Sequence, residues 1–258
     1  MERKVAVVTG ASSGIGAALC KKLGADGWHV VLAARRRAEL DKIAAQSGEH
    51  TLVVVTDVTR RLEVERLKNE ALQQFGHIDV WVNNAGRGIN RAVMELSETD
   101  FDEMMNVNVK SALYGIWTIV PYFKVLGKGH LINVSSFLGR LPLVGNRSAY
   151  NAAKAALNSL TANLRMDLRR TNPDIKVSLV MPGMVSTDFA KNALYENGSA
   201  PAPAISRAVI QAPQEVAEML MDLIKNPRAE LYTNPSSAET VKSYYADIAG
   251  FEDKLFMQ

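Results

Sequence analysis

Val5-Ala6-Val7-Val8-Thr9-Gly10-Ala11-Ser12-Ser13-Gly14-Ile15-Gly16 is a short apolar run that stops at a turn carrying three glycines, spaced Gly-x-x-x-Gly-x-Gly. An Ala/Leu/Lys stretch follows to about Asp26. A continuous apolar, β-branched run predicts a strand buried on both faces. Between strand and helix, the first glycine permits the tight turn and the second lets backbone approach a pyrophosphate. The third lets helix and strand pack closely. The free N–H groups and positive end of the helix then face the phosphates. Ser12 and Ser13 add hydroxyl donors. Three glycines can also merely form a loop, but their place between a strand and a helix favours dinucleotide binding.

The same rhythm continues along the chain. His29–Ala34, Thr51–Val55, Ile78–Val82, His130–Val134 and Lys176–Val180 are strand-like, and Glu230–Tyr232 is a weaker seventh run. Between them, residues 60–75 and 148–170 carry apolar side chains at helical spacing, and long helices fit 103–126 and 148–171. Strands alternating with helices predict an α/β, doubly wound Rossmann fold: a parallel sheet of about seven strands with helices on both faces. Ligands of such sheets bind outside the carboxyl ends of the strands, where the order reverses. No Pro/Gly/Ser-rich linker divides residues 1–258, so a single domain is expected.

Composition narrows the class further. A 258-residue chain that is 47% hydrophobic and 22% charged has enough apolar surface for a full core. Lone Cys20 excludes an intrachain disulfide framework. No apolar run approaches the ~20 residues of a membrane span. The charged start Met1-Glu2-Arg3-Lys4 leads into only the short apolar run Val5–Val8, which ends at Thr9-Gly10, unlike a secretory signal. A reducing, cytoplasmic location is expected. Thirty basic residues face 27 acidic ones, and Arg60-Arg61 and Arg169-Arg170 read as solvated helix ends, so no nucleic-acid partner is expected. Four scattered histidines lack metal-ligand spacing, so no metal is expected either.

The second strand ends in Ala33-Ala34-Arg35-Arg36-Arg37. An acid there would hold ribose hydroxyls and repel a 2′-phosphate. Arginine offers the phosphate charge-assisted hydrogen bonds, so the pattern argues for NADP(H), with Arg37 better read as a solvated helix opener. Tyr150-x-x-x-Lys154 places both side chains on one helix face. An ammonium beside a phenol favours the phenolate and yields a proton donor or acceptor nearer neutral pH. Ser135-Ser136 ends the fifth strand, where a hydroxyl can hold a substrate oxygen. Taken singly, Tyr150 is equally a packed aromatic, Lys154 a surface charge and Ser136 a turn residue.

Together with Asn83-Asn84-Ala85-Gly86 after the fourth strand, these motifs resemble the short-chain dehydrogenase/reductase family, over essentially the whole chain from Val5 to Tyr232. They stand in the family's order: Thr9-Gly10-x-x-x-Gly14-Ile15-Gly16, Asp57-Val58, Asn84-Ala85-Gly86, Asn108, Ser136, Tyr150-x-x-x-Lys154 and Pro182-Gly183. The resemblance implies that Tyr150 is the general acid in carbonyl reduction and the base in reverse. Lys154 then lowers the tyrosine pKa and binds the nicotinamide ribose, Ser136 holds the substrate oxygen, and Asn108 anchors a relay water. Asp57 and Val58 match adenine contacts. Asn84, Ala85 and Gly86 match the adenosine-ribose side. Pro182-Gly183, Val185 and Thr187 match the segment that meets the carboxamide. Ala34-Arg35, with help from Arg36, resembles the NADP-preferring subgroup. Two departures stand out. Fourteen positions separate Ser136 from Tyr150, one more than in many members, which keeps Ser135 as a second choice. No basic residue lies between Gly10 and Gly14, so phosphate recognition falls to Arg35, Arg36, Ser12 and Ser13.

The resemblance implies an NADPH-dependent carbonyl reductase, equivalently an NADP-dependent alcohol dehydrogenase, that works as a homodimer or homotetramer through its two long helices. A small carbonyl or alcohol substrate would meet Arg87–Arg91, the apolar Leu138, Leu141, Leu143 and Val144, and Phe189. Arg87 and Arg91 either hold an acidic group or face water, the second being favoured. Residues 188–212 suit a lid, and 237–258 a helical tail. Two alternatives remain: a non-catalytic NADP(H)-binding sensor, for which the complete Asn108-Ser136-Tyr150-Lys154 set is unnecessary, and an enoyl reductase, whose branch spaces tyrosine and lysine more widely.

Overall fold

A computed structural model of the protein describes residues 3–189, 192–195 and 209–256. Seven strands form one wholly parallel sheet: β1 (Val5–Thr9), β2 (His29–Ala34), β3 (Thr51–Val55), β4 (Val80–Asn83), β5 (Gly129–Val134), β6 (Ile175–Met181) and β7 (Glu230–Tyr232). Their spatial order is β3-β2-β1-β4-β5-β6-β7, so the winding reverses between β1 and β4. The helices are α1 (Gly14–Ala25), α2 (Arg37–Ala44), α3 (Arg61–Phe75), α4 (Glu98–Met105), α5 (Ser111–Leu126), α6 (Ser148–Arg169), α7 (Pro213–Lys225), α8 (Ser237–Ala246) and α9 (Ile248–Phe256).

Both faces of the sheet are covered, which is why its strands read as unbroken apolar runs. On one face Ala6, Val8, Val30 and Leu32 pack with Leu19 and Leu23 of α1, Leu40 of α2 and Leu220 and Leu223 of α7. On the other, Val5, Val7, Val31 and Trp81 pack with Leu67 of α3, Ile116 and Phe123 of α5 and Leu168 of α6. The doubly wound Rossmann expectation therefore matches the observed architecture.

Three boundaries differ from the sequence reading. β4 begins two residues later than Ile78. Just before it, the Asp79 carboxylate accepts the Val5 N–H at 2.8 Å, a side-chain bond in place of a ladder bond. The long helix expected over 103–126 is interrupted by a wide π-turn at Asn106–Lys110. There the Asn108 side-chain amide donates to the Met104 carbonyl at 3.1 Å and competes with the helix ladder. The tail is two helices rather than one, α8 and α9. Most of the lid segment 188–212 lies outside the described residues.

Candidate active site

The turn after β1 is built for close approach. Gly10 has φ +68° and Gly14 φ +57°, conformations that side chains resist. A Cβ on Gly10 would stand 2.8 Å from Cα of Ala85, so β1 and β4 can meet here only through glycine. Gly16 lies under the turn, where a Cβ would come within 2.5 Å of the Gly10 carbonyl oxygen. Thr9, the first residue of the glycine motif, ties the two strand ends together. Its hydroxyl donates to Val82 at 3.2 Å and accepts the N–H groups of Asn84 and Ala85 at 3.0 and 3.2 Å. Asn84 answers by donating to the Thr9 carbonyl at 2.9 Å.

The start of α1 is left available. Ser13 occupies its N-cap without a side-chain cap bond, so the first-turn N–H groups keep their donors for a ligand. Arg36 donates to the Ser12 and Ser13 hydroxyls, 3.0 Å each, which leaves both hydroxyl protons free to turn outward. Arg35 is exposed beside them at the end of β2. Burial alone would raise the Asp57 carboxyl. Hydrogen bonds from Thr59 and the positive charges of Arg35 and Arg60 more than offset it, and the carboxyl titrates below its usual range.

These residues open onto a cleft of about 560 Å³ across the carboxyl ends of β1 and β4. It is lined by Gly10, Ser12, Ser13, Gly14, Ile15, Arg35, Arg36, Asp57, Val58, Asn84, Ala85 and Gly86 on one side. Ser136, Tyr150, Lys154, Pro182, Gly183, Val185 and Thr187 line the other. Gly16 and Asn108 stand behind the wall. Thr56, Thr59, Glu103 and Val107 also line the cleft and carried no sequence signal, and Asn192 and Ala193 of the expected lid segment line it too.

Tyr150 and Lys154 occupy the first turns of α6, one turn apart. Burial pushes the Tyr150 hydroxyl up to about 12, while the Ser136 hydroxyl and the charge of Arg147 act in the opposite direction. Burial also brings the Lys154 ammonium down to about 8. Lys154 donates to the Val134 carbonyl oxygen at 3.0 Å, and its nitrogen lies 5.7 Å from the Tyr150 ring centre. The charge of Arg147 thus acts on the tyrosine hydroxyl, while Lys154 stands over the ring. The two serines part company. Ser135 turns its hydroxyl into α6, donating to Asn158 at 2.5 Å and to the Lys154 carbonyl. Ser136 accepts from the Leu138 N–H and shares the cleft with Tyr150. Asn108 is buried and braces the turn after β4, accepting from the Arg87 N–H and donating to the Arg87 carbonyl.

On the substrate side, Phe189 lines the cleft with its ring centre 5.5 Å from that of Tyr150. Leu141 and Leu143 do not line it. They are buried with Tyr244 under α8 and α9, because the tail folds back over the loop after β5. Arg87 and Arg91 do not simply face water. Arg87 pairs with Glu103 at 2.6 Å and donates to the Asn192 carbonyl. The Arg91 guanidinium lies 3.7 Å over the Tyr195 ring. Among the described residues no group of three or more His, Cys, Asp or Glu side chains could hold a metal ion, and no helix is long and apolar enough to cross a membrane.

Comparisons with known proteins agree with this geometry. A family model described as short chain dehydrogenase matches residues 4–197. An uncharacterized oxidoreductase of Staphylococcus epidermidis is 37% identical over 213 residues, 82% of this chain and 91% of that one. A short-chain dehydrogenase/reductase of Burkholderia phymatum, solved in complex with NAD, superposes with a TM-score of 0.86. It is 29% identical and is matched over 96% of this chain and 95% of its own. An alcohol dehydrogenase of the archaeon Thermococcus sibiricus, complexed with 5-hydroxy-NADP, gives a TM-score of 0.76. It is 31% identical, with 90% and 96% covered.

Proposed function

The chain belongs to the short-chain dehydrogenase/reductase family and is a nicotinamide-dependent oxidoreductase, and from that premise we propose that it is an NADPH-dependent carbonyl reductase, equally an NADP-dependent alcohol dehydrogenase. The observation that carries this reading is the meeting of Ser136, Tyr150 and Lys154 with the uncapped start of α1 in one cleft.

The residues fit the group. The uncapped first turn of α1, with Ser12, Ser13, Gly14 and Ile15, would take the pyrophosphate. Arg35 and Arg36 would take the 2′-phosphate, since two guanidinium groups and no free acid stand at the end of β2. Lys154 would hold the nicotinamide ribose, and Val185 and Thr187 the carboxamide. When bound, the nicotinamide supplies or takes up the hydride. Ser136 donates a hydrogen bond to the carbonyl oxygen and fixes it beside Tyr150. Tyr150, protonated throughout the working pH range, delivers its hydroxyl proton to that oxygen and recovers it in reverse. A lysine held near 8 loses and regains a proton readily, which suits it to restore the tyrosine.

The reading extends to assembly and location. Half-exposed Trp117 on α5 and exposed Met166 on α6 support a homodimer or homotetramer through these helices. Buried, unpaired Cys20 suits a reducing cytoplasm. The test is a panel of aldehydes and ketones with NADPH and NADH side by side, followed by cofactor absorbance. Oxidation of NADPH with some members is expected, and faster than that of NADH. Cofactor binding without oxidation across the panel would instead mark a nucleotide sensor.

A further inference from the structure

Arg87 lines the substrate side of the cleft, Arg91 and Arg147 are bridged to each other nearby, and the three differ in what holds them. Arg87 has Glu103. Arg91 has the Tyr195 ring and the nearby charge of Asp100, although its Nε too is buried without an acceptor. Among the described residues Arg147 has no acid, and the Phe189 ring shares its space. Arg147 is partly buried, and its Nη1 is shut off from water without an acceptor. A guanidinium does not shed its proton in a protein, so this is a standing charge with an unmet donor. Buried donors left unmet are rare and costly, and one beside reacting groups calls for an acceptor that arrives with a ligand.

The placement is built. Arg147 is the N-cap of α6, one turn before Tyr150, and its backbone is pinned by a bridge to Arg91 and by the Asn151 N–H at 2.8 Å. The guanidinium occupies space left open by Gly88, where a Cβ would stand 2.7 Å from Nη1. The Phe189 ring closes over the same space, 2.9 Å from that Cβ position, and also packs on Tyr150. Arg147, Phe189 and Tyr150 therefore form one cluster, of which Phe189 and Tyr150 line the cleft and Arg147 stands next to them.

We propose that Arg147 receives a carboxylate of the substrate, carried within one or two carbons of the reacting carbonyl, so that short oxo acids and the matching hydroxy acids are the preferred substrates. A planar, bidentate fork matches a carboxylate. Residues three apart on a helix are neighbours, which sets the short distance between the acid and the carbonyl oxygen held at Tyr150. The inference rests on the reading of Tyr150 as proton donor.

The test compares pyruvate and acetoacetate with their uncharged amides, using NADPH. The ratio of kcat/KM for acid over amide cancels any effect of Arg147 on Tyr150 itself, which acts on both alike. That ratio is expected to fall about 100-fold in Arg147→Met, and Arg147→Lys is expected to keep at least about tenfold of it. Gly88→Ala, which crowds the guanidinium out, should reproduce the loss and serves where Arg147→Met does not fold. An unchanged ratio overturns the proposal. If wild-type protein oxidises NADPH with none of the four compounds, the carbonyl-reductase reading fails for this substrate class, and binding decides the anion site separately. Oxamate is then titrated calorimetrically into the protein with NADP+. A dissociation constant weakened about tenfold or more in Arg147→Met sustains the site. Equal constants, or no binding to wild type, overturn it.

Discussion

Lys154 directs its ammonium group at the main-chain carbonyl of Val134, 3.0 Å away at the end of β5, and not at the hydroxyl of Tyr150 one turn earlier. The contact ties α6 to the central strand behind the candidate catalytic serine. It also holds a cation in a nearly sealed site, and burial alone accounts for its lowered pKa, about 8.

That lowered pKa fixes the sign of a stability effect. Between about 8 and the ordinary lysine value, the unfolded chain holds a proton at Lys154 that the folded chain has lost. Stability from this group therefore rises as pH climbs through that window, by ~3 kcal/mol over its whole width. Urea unfolding at pH 7.5 and pH 10 should show the rise in wild type relative to Lys154→Met. Equal pH slopes for the two proteins would contradict it.

Tyr150→Phe removes the proton donor and keeps the ring that packs on Phe189. Turnover should fall by about 10³-fold or more, the usual scale for losing a positioned acid. The NADPH dissociation constant, read by fluorescence, should change by less than about threefold. Substantial retained turnover would remove Tyr150 from the mechanism.

Arg35 is exposed at the end of β2, with the Asp57 charge near it. Arg35→Ala should weaken NADPH by about tenfold or more and leave NADH nearly unchanged, because the cofactors differ only in the 2′-phosphate. Equal weakening of both would mean that Arg35 serves the adenine or the fold instead.

Gly24→Ala pits two local effects against each other. Alanine is better than glycine inside a helix such as α1 by ~1 kcal/mol. A Cβ at Gly24, however, would overlap the carbonyl of Ser47, a backbone atom with little freedom to move. Overpacking against backbone should win, giving a net loss of about 2 kcal/mol in urea unfolding. A gain in stability would show that the loop after α2 is softer than its contacts suggest.

The sheet was legible in the sequence because helices cover both of its faces. Runs such as Val5–Val8 and His29–Ala34 then have no polar face to obscure them. The glycine turn was legible for a related reason: Gly10 and Gly14 hold backbone angles that the residue type itself announces. What escaped detection depends on contacts between distant residues. Asn108 was placed by its motif, but its brace on the turn after β4 shows only once Arg87 lies alongside it. Leu141 and Leu143 read as pocket walls because nothing local reveals that Tyr244, about a hundred residues on, will cover them. Arg147 carried a faint signal, one helical turn ahead of Tyr150. Its lack of a partner becomes visible only once Gly88 and Phe189 are in place.

The wide turn at Asn106–Lys110 sets a rotational phase. It adds one residue to what would otherwise be a single rod from α4 into α5, and one residue is about 100° of helix. Removing that residue would turn α4 about its own axis while α5 stayed seated on the sheet. Glu103 would swing away from Arg87, and Asp100 from the Tyr195 hydroxyl that it now accepts at 3.1 Å. The angular offset thus dictates which side of α4 is shown to the chain leading into the lid segment. A single-residue deletion here would rotate that docking face away and carry Met104 out of its packing with Ile89 and Tyr150.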